Sequence, residues 1–273
     1  MGSPPRPKAP GPEDGVRLAK LVAASGRASR REAEECVRAG RVRVDGERIT
    51  DPSLRVEPGR QSVLVDGKPL RPVEARTFAV HKPRGELAAS AHPWSESAPG
   101  TRLRRPAGRL LPVGRLSAAS EGLVLFTTDG DLAQTLARAP IPETYHIRVR
   151  GRPGEREMEK LRRGVVGEGA VRPEEVRLSG SGRNAWLLLR VRRGRDRDLR
   201  EVLRILGHPV VKLRRVAFGP LTLSTARPGE WRELRPEEVQ RLRSAARTAL
   251  AGVRDGAPPR APGRPTPRRG RRT

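Results

Sequence analysis

Aromatic side chains are among the scarcest in this 273-residue sequence: three Phe, three Trp and a single Tyr, Tyr145. Cysteine is rarer still. Cys36 stands alone, which excludes an internal disulfide and a cysteine-built zinc site. No apolar run reaches the ~18 residues needed to span a bilayer. The first fourteen residues form a proline-rich polar stretch without the apolar centre of a secretory signal. The four histidines, His81, His92, His146 and His208, show no ligand spacing. There is no phosphate loop and no dinucleotide fingerprint. These absences lead us to expect a cytoplasmic protein with no membrane partner and no structural metal.

What the sequence has is positive charge. Lys and Arg number 57 against 31 Asp and Glu, a formal net charge of +26, and only six of the 57 are lysines. Such a surplus points to a polyanion, with nucleic acid the default partner. A GC-rich genome also writes arginine, alanine, glycine and proline into any surface, so charge alone names neither the nucleic acid nor the chemistry. The two ends read as disordered. Residues 1–14 hold five prolines, and residues 254–273 hold seven arginines against one acid. Neither buries enough apolar surface to offset ordering entropy. The sequence places the start of the basic, largely disordered C-terminal tail at residue 244, and that tail can grip phosphates without sequence preference.

Residues 15–74 read as a small folded unit. Val16, Leu18, Leu21 and Val22 have helical spacing. Ser29-Arg30-Arg31-Glu32 is a capping box opening a second helix, which buries Ala33, Cys36 and Val37 and stops near Gly40. Val42 and Val44 before Asp45-Gly46, and Val63 and Val65 before Asp66-Gly67, are hairpin signals. Between Arg17 and Arg71, thirteen basic residues against eight acids give +5. Arg27, Arg30 and Arg31 cluster at the start of the second helix, and Arg41 and Arg43 follow its end. A helix start with free amides and arginines suits phosphate. This order, and the runs Gly26–Ala33 and Gly40–Gly46, resemble the alpha-L RNA-binding domain, which implies binding to structured RNA through backbone and shape.

Residues 75–243 mix strands and helices without regular alternation, so the fold class is α+β. Phe78–His81, Leu123–Phe126, Tyr145–Val149, Trp186–Val191 and Val210–Phe218 read as strands. Leu132–Ala137 and Asp198–Leu206 read as helices, and Ser90–Arg109 as a long surface loop. The most distinctive run is Pro112-Val113-Gly114-Arg115-Leu116-Ser117-Ala118-Ala119-Ser120-Glu121-Gly122-Leu123, with Lys82-Pro83-Arg84-Gly85 before it and Tyr145 after it. Gly194-Arg195-Asp196-Arg197-Asp198-Leu199-Arg200, Val211–Leu221 and Gly229–Leu234 follow in order. Together these resemble the bacterial ribosomal-RNA pseudouridine synthases of the RsuA/RluB type. An alpha-L domain in front is that family's usual layout.

The resemblance implies a mixed-sheet synthase domain with a central RNA cleft. It also implies a chemistry: a uridine is flipped from the RNA, an aspartate attacks, the glycosidic bond breaks, the base turns, and a carbon–carbon bond to the sugar forms. No cofactor is implied. Carried over by position, Tyr145 stacks on the uracil and Arg200 pairs with the catalytic aspartate. Lys82, Arg84, Arg115, Arg195 and Arg197 surround the cleft as RNA contacts. The nucleophile position departs from the pattern, because Ser117 stands where the family has aspartate. A carboxylate is ionised at neutral pH, whereas a hydroxyl needs an adjacent general base. None is evident in the sequence: Glu121 and His146 are poorly placed, and Asp198 lies only two residues from Arg200. Glu143 also stands where the family usually has Lys or Arg, and Asp198 where it has Gln. The expectation is therefore an RNA-binding family member impaired in catalysis. The alternatives are an active ribosomal-RNA synthase, with the large subunit favoured as substrate, and a general nucleic-acid binder. The partner expected is structured RNA, either ribosomal RNA or an assembling ribosomal subunit, bound by a monomer.

Overall fold

The computed structural model describes residues 15–26, 28–71, 73–86, 109–164, 171–180, 182–192, 196–223 and 226–255. The expected N-terminal tail, the chain beyond 255 and nearly all of the expected loop at Ser90–Arg109 lie outside the described residues.

The N-terminal unit forms where the spacing predicts it. Helices α1 (Leu18–Ala24) and α2 (Arg30–Arg38) precede a small sheet of β2 (Val42–Val44), β3 (Glu47–Ile49), β5 (Val63–Val65) and β6 (Lys68–Pro69), ordered β3-β2-β5-β6. The capping box of α2 is complete: Ser29 Oγ accepts from the Glu32 amide at 3.3 Å, and the Glu32 carboxylate accepts from the Ser29 amide. Both hairpin turns use the backbone that Asp-Gly supplies, with positive φ at Asp45 and Gly46 and again at Asp66 and Gly67. Leu18, Val22, Ala33, Val37, Val42 and Val56 are wholly buried between helices and sheet. Each such side chain contributes about 1.5–3 kcal/mol of transfer free energy. Val16 differs from its predicted helical role. Val16–Arg17 form β1, which pairs antiparallel with β4 (Arg55–Val56), so the chain enters α1 from a strand.

The second unit is built on one nine-stranded sheet. Its main path runs β11 (Glu175–Ser179), β12 (Trp186–Val191), β10 (Glu143–Val149), β13 (Val210–Phe218), β9 (Glu121–Thr127), β7 (Thr77–Lys82) and β15 (Trp231–Glu233). Two short strands lie beside it, β8 (Leu111–Val113) on β9 and β14 (Leu221–Thr222) on β13. Among its pairs, β9 and β13 alone run parallel, making this a mixed sheet. The apolar run of β9 is buried at every residue because both faces of the sheet are covered. Val124 and Phe126 join Tyr145, Ile147 and Leu213 under Leu199, Val202 and Leu203 of α5 (Asp196–Ile205). Leu123 and Leu125 join Phe218 under α3 (Gly130–Arg138) and α6 (Pro236–Asp255). Helix α4 (Glu155–Arg163) adds Met158 and Leu161 to the first core.

Two boundaries differ from expectation. Helix α5 begins at Asp196 rather than Asp198, which brings one more carboxylate into its first turn. Helix α6 continues through residue 243, where the tail was expected to start, and runs to Asp255. The physical reason is its apolar stripe: Leu242 and Ala246 are wholly buried against the second core, and Ala249 nearly so. Arg243 also donates to Asp129, the N-cap of α3. The start of α6 is fixed by Glu238, whose buried carboxylate accepts from both terminal nitrogens of Arg232, at 2.7 and 2.8 Å, and from the Arg235 amide at 3.0 Å. These donors, Arg232 foremost, hold its pKa down to about 2. A carboxyl depressed in the folded state contributes stability above its unfolded pKa and loses it as pH falls through the folded one. Glu238→Ala is therefore expected to cost about 2 kcal/mol at pH 7 in equilibrium denaturation. That gap should narrow as pH falls from 4.5 towards about 2.

Candidate active site

Two segments some eighty residues apart in the sequence meet over the first core. One is the turn Gly114–Ser120 that connects β8 to β9. The other is the first turn of α5. Leu199, Val202 and Leu203 fix one face of α5 to the sheet. Asp196 and Arg200, one helical turn apart, meet the Gly114–Ser120 turn. Asp196 Oδ2 accepts from the Ser117 amide at 3.0 Å and also from the Ser117 hydroxyl. Ser117 Oγ lies 3.3 Å from Ser120 Oγ. Arg200 Nη2 clasps the same turn, donating to the Ala119 carbonyl at 2.8 Å and to Ser120 Oγ at 3.0 Å. Asp196 is only 4% exposed. Burial alone would raise its pKa, but the Ser117 and Ser120 hydroxyls, the Ser117 amide and the Arg200 charge outweigh it. The carboxyl sits below its ordinary value and is ionised at neutral pH.

Beneath this turn lies a buried charge. Arg215 on β13 is 1% exposed, and its guanidinium reaches three segments. Nε donates to the Leu123 carbonyl at 2.7 Å, Nη2 to the Gly114 carbonyl at 3.0 Å, and Nη1 to Glu143 Oε2 at 3.0 Å. The same Glu143 oxygen accepts from the Tyr145 hydroxyl. Burial first, and then the Glu143 charge, push the Tyr145 pKa well up, so the phenol stays protonated and donates. Two glycines let β9 and its preceding turn come this close. A Cβ on Gly122 would stand 2.3 Å from the Arg215 carbonyl, and one on Gly114 would stand 3.0 Å from its guanidinium. Both have positive φ.

The structure brings Ser117, Arg200 and Tyr145 to one region and changes the reading of their neighbours. Tyr145 is 0% exposed and has its hydroxyl on Glu143, so no face of its ring is open to solvent. His146 points to the other side of β10, where it stacks on Trp186 at 4.3 Å. Glu121 is engaged by Arg214 and by Lys212 at 3.1 Å. The group beside Ser117 is Asp196, not Asp198. This corrects the expectation that the hydroxyl lacks a basic neighbour. Lys82 is a second correction. It is 4% exposed, with its ammonium on the Pro83 and Glu86 carbonyls at 2.8 and 2.7 Å, because the 83–86 turn folds back over it. It braces that turn with its ammonium turned inward rather than exposed. Arg84, Arg115 and Arg197 are exposed, whereas Arg195 and Arg27 lie outside the described residues. Arg30 and Arg31 are exposed at the start of α2, facing the start of α3 across a groove. Arg41 is paired with Asp66 at 2.6 and 2.8 Å, and Arg43 donates to the Gly46 carbonyl at 3.2 Å. Sequence reasoning missed Asp196 and Arg215. The four-residue step from Asp196 to Arg200 was a readable signal. Nothing in the sequence marked Arg215 among 51 arginines.

Comparison with known proteins gives this arrangement its context. Residues 16–62 match the S4 domain, and residues 76–204 match the model described as RNA pseudouridylate synthase. Ribosomal large subunit pseudouridine synthase B of Bacillus subtilis is 34% identical over 236 residues, covering 84% of this chain and 96% of its own. Its Vibrio cholerae counterpart is 36% identical over 238 residues, covering 83% and 74%. The chain belongs to the RNA pseudouridylate synthase family. An uncharacterized RNA pseudouridine synthase of Aquifex aeolicus is 33% identical over 232 residues, covering 83% of this chain. A solved pseudouridylate synthase shares the fold, with TM-score 0.54 at 22% identity over 83% of this chain and 99% of its own. This synthase therefore has the layout expected from its sequence, an S4 RNA-binding domain before a mixed-sheet synthase domain. Among the described residues, no helix is long and apolar enough to cross a membrane.

Arg215 is the test of how the site is held. Arg215→Met leaves the half-buried Glu143 without its cation and frees the Leu123 and Gly114 carbonyls. It is expected to cost about 3–5 kcal/mol, read as a large fall in the thermal midpoint. Arg215→Lys should recover little of this, because one ammonium cannot reach three segments.

Proposed function

We propose that this synthase isomerises a uridine to pseudouridine in large-subunit ribosomal RNA. The observation that carries this reading is the similarity, over more than four-fifths of the chain, to relatives named for that activity, with Arg200 kept and an ionised carboxylate, Asp196, in contact with the family's nucleophile position. The S4 domain grips structured RNA through phosphate and shape, using Arg30 and Arg31 at the start of α2. The exposed Arg84, Arg115 and Arg197 hold the strand around the cleft. The target base leaves its stack and enters between the Gly114–Ser120 turn and α5. There its C1′–N1 bond is broken, the uracil turns, and its C5 is joined to C1′. Arg200 keeps the turn in register and offers positive charge to the departing base. Its Nε, buried and without a hydrogen-bond partner among the described residues, is a donor left for the substrate.

A second reading keeps the fold and loses the chemistry. Ser117 supports it, because a hydroxyl replaces the family's aspartate. So does the complete burial of Tyr145. On that reading the protein is a silent RNA-binding relative that serves ribosome assembly in the cytoplasm.

Deleting the gene and mapping pseudouridine chemically across ribosomal RNA separates the two. The enzymatic reading expects one large-subunit site to vanish and to return with the wild-type gene. An unchanged map supports the silent reading. For the grip, Arg30→Ala with Arg31→Ala is expected to weaken ribosomal-RNA binding and to lower the salt slope by about one to two. An unchanged slope removes the S4 helix start from the interface.

A further inference from the structure

The synthase reading leaves one chemical gap, and the inference drawn here rests on that reading. Position 117 supplies a hydroxyl where the reaction needs a group that both attacks and leaves easily. The missing carboxylate is present on the opposite wall. Asp196 Oδ2 lies 3.0 Å from the Ser117 amide nitrogen and in hydrogen-bond contact with the Ser117 hydroxyl. It therefore occupies space next to the side chain of the family's nucleophile position. The first turn of α5 favours a negative charge there, and Arg200 follows one turn later. Among the described residues, the other carboxylates nearest this turn are already engaged. Glu121 is bound by Arg214 and Lys212, and Glu143 by Arg215 and Tyr145.

We propose that Asp196 is the catalytic carboxylate of this enzyme, moved from the turn after Gly114-Arg115-Leu116 to the start of α5. An Asp196 oxygen gives an electron pair to C1′ of the flipped uridine as the C1′–N1 bond breaks, and that bond's pair leaves on the uracil. The uracil turns within the cleft. Its C5 then gives a pair to C1′ as the Asp196–C1′ bond breaks, returning the carboxylate. The C5 proton is lost to water and N1 gains one. Substrate and product are isomers, so no oxidant, reductant or co-reactant enters. Ser117 is a positioning residue: its hydroxyl and amide aim the carboxylate. Ser117 as nucleophile with Asp196 as its base fits less well. The second half would then expel an alkoxide, a far poorer leaving group than a carboxylate.

The test uses the full-length protein on ribosomal RNA purified from the deletion strain, with pseudouridine formation followed at the affected site. Asp196→Asn is expected to lower the rate on the order of 10³-fold or more while keeping ribosomal-RNA affinity. Ser117→Ala should stay within about tenfold of wild type, since it removes one hydrogen bond to the carboxylate and leaves the amide. The double variant Ser117→Asp with Asp196→Asn returns the carboxylate to the turn and is expected to regain activity over Asp196→Asn alone. Activity that survives Asp196→Asn overturns the assignment and leaves the synthase reading intact. A loss in Ser117→Ala as deep as in Asp196→Asn also overturns it, in favour of a serine nucleophile. A double variant that binds RNA normally yet stays as silent as Asp196→Asn overturns it too. Wild-type protein that modifies no uridine overturns both the assignment and the synthase reading.

Discussion

One buried cation holds this site together. Arg215 comes from the middle of β13, and its guanidinium bonds the Gly114 carbonyl ahead of the turn, the Leu123 carbonyl in β9 and the Glu143 carboxylate in β10. Those bonds fix three strands and one turn to a single point under the Gly114–Ser120 turn. A charge this deep is costly unless every donor is met. Here Glu143 neutralises it and the two carbonyls take its remaining directions. The parallel pairing of β9 and β13 depends on the same place, because Gly122 lies opposite Arg215 and has no side chain to keep the backbones apart. Once the turn is anchored, Ser117 and Ser120 present their hydroxyls to α5.

Departures from the family's pattern look like losses one at a time and make sense in pairs. Glu143, where a basic residue is usual, meets the Arg215 cation and the Tyr145 hydroxyl. Ser117, where an aspartate is usual, meets the Asp196 carboxylate. In each pair the charge is supplied by a different strand or helix. For Ser117 the pairing underlies the proposed chemistry, since a carboxylate with a depressed pKa stays in contact with the nucleophile position. Judging catalysis from position 117 alone misses it.

Much of this was readable in the residues. The capping box at Ser29, the two Asp-Gly hairpins and the continuous apolar run of β9 follow from local rules, and the structure contains them. The family's motifs ordered the second unit correctly. What local rules could not reach were contacts between distant segments. Asp196 and Ser117 are 79 residues apart, and Arg215 and Glu143 are 72 apart. Lys82 was read as an RNA contact from the family resemblance, and only the fold of the 83–86 turn shows it buried. Asp198 was weighed as a surrogate because it stands where the family has Gln, two residues from Arg200, and the structure turns Asp196 towards Ser117 instead. With the helix begun at Asp196, the four-residue step to Arg200 picks out the carboxylate that meets Ser117. The end of α6 was missed because its arginines mask the Leu242, Ala246 and Ala249 stripe.

The central claim is that the attacking group has changed its place in the chain while the reaction has not changed. The most direct measurement is to quench the enzyme in acid during turnover on ribosomal RNA, digest protein and RNA, and locate the nucleotide-bearing peptide by mass spectrometry. The account predicts the adduct on the peptide containing Asp196. An adduct on the peptide containing Ser117 contradicts it.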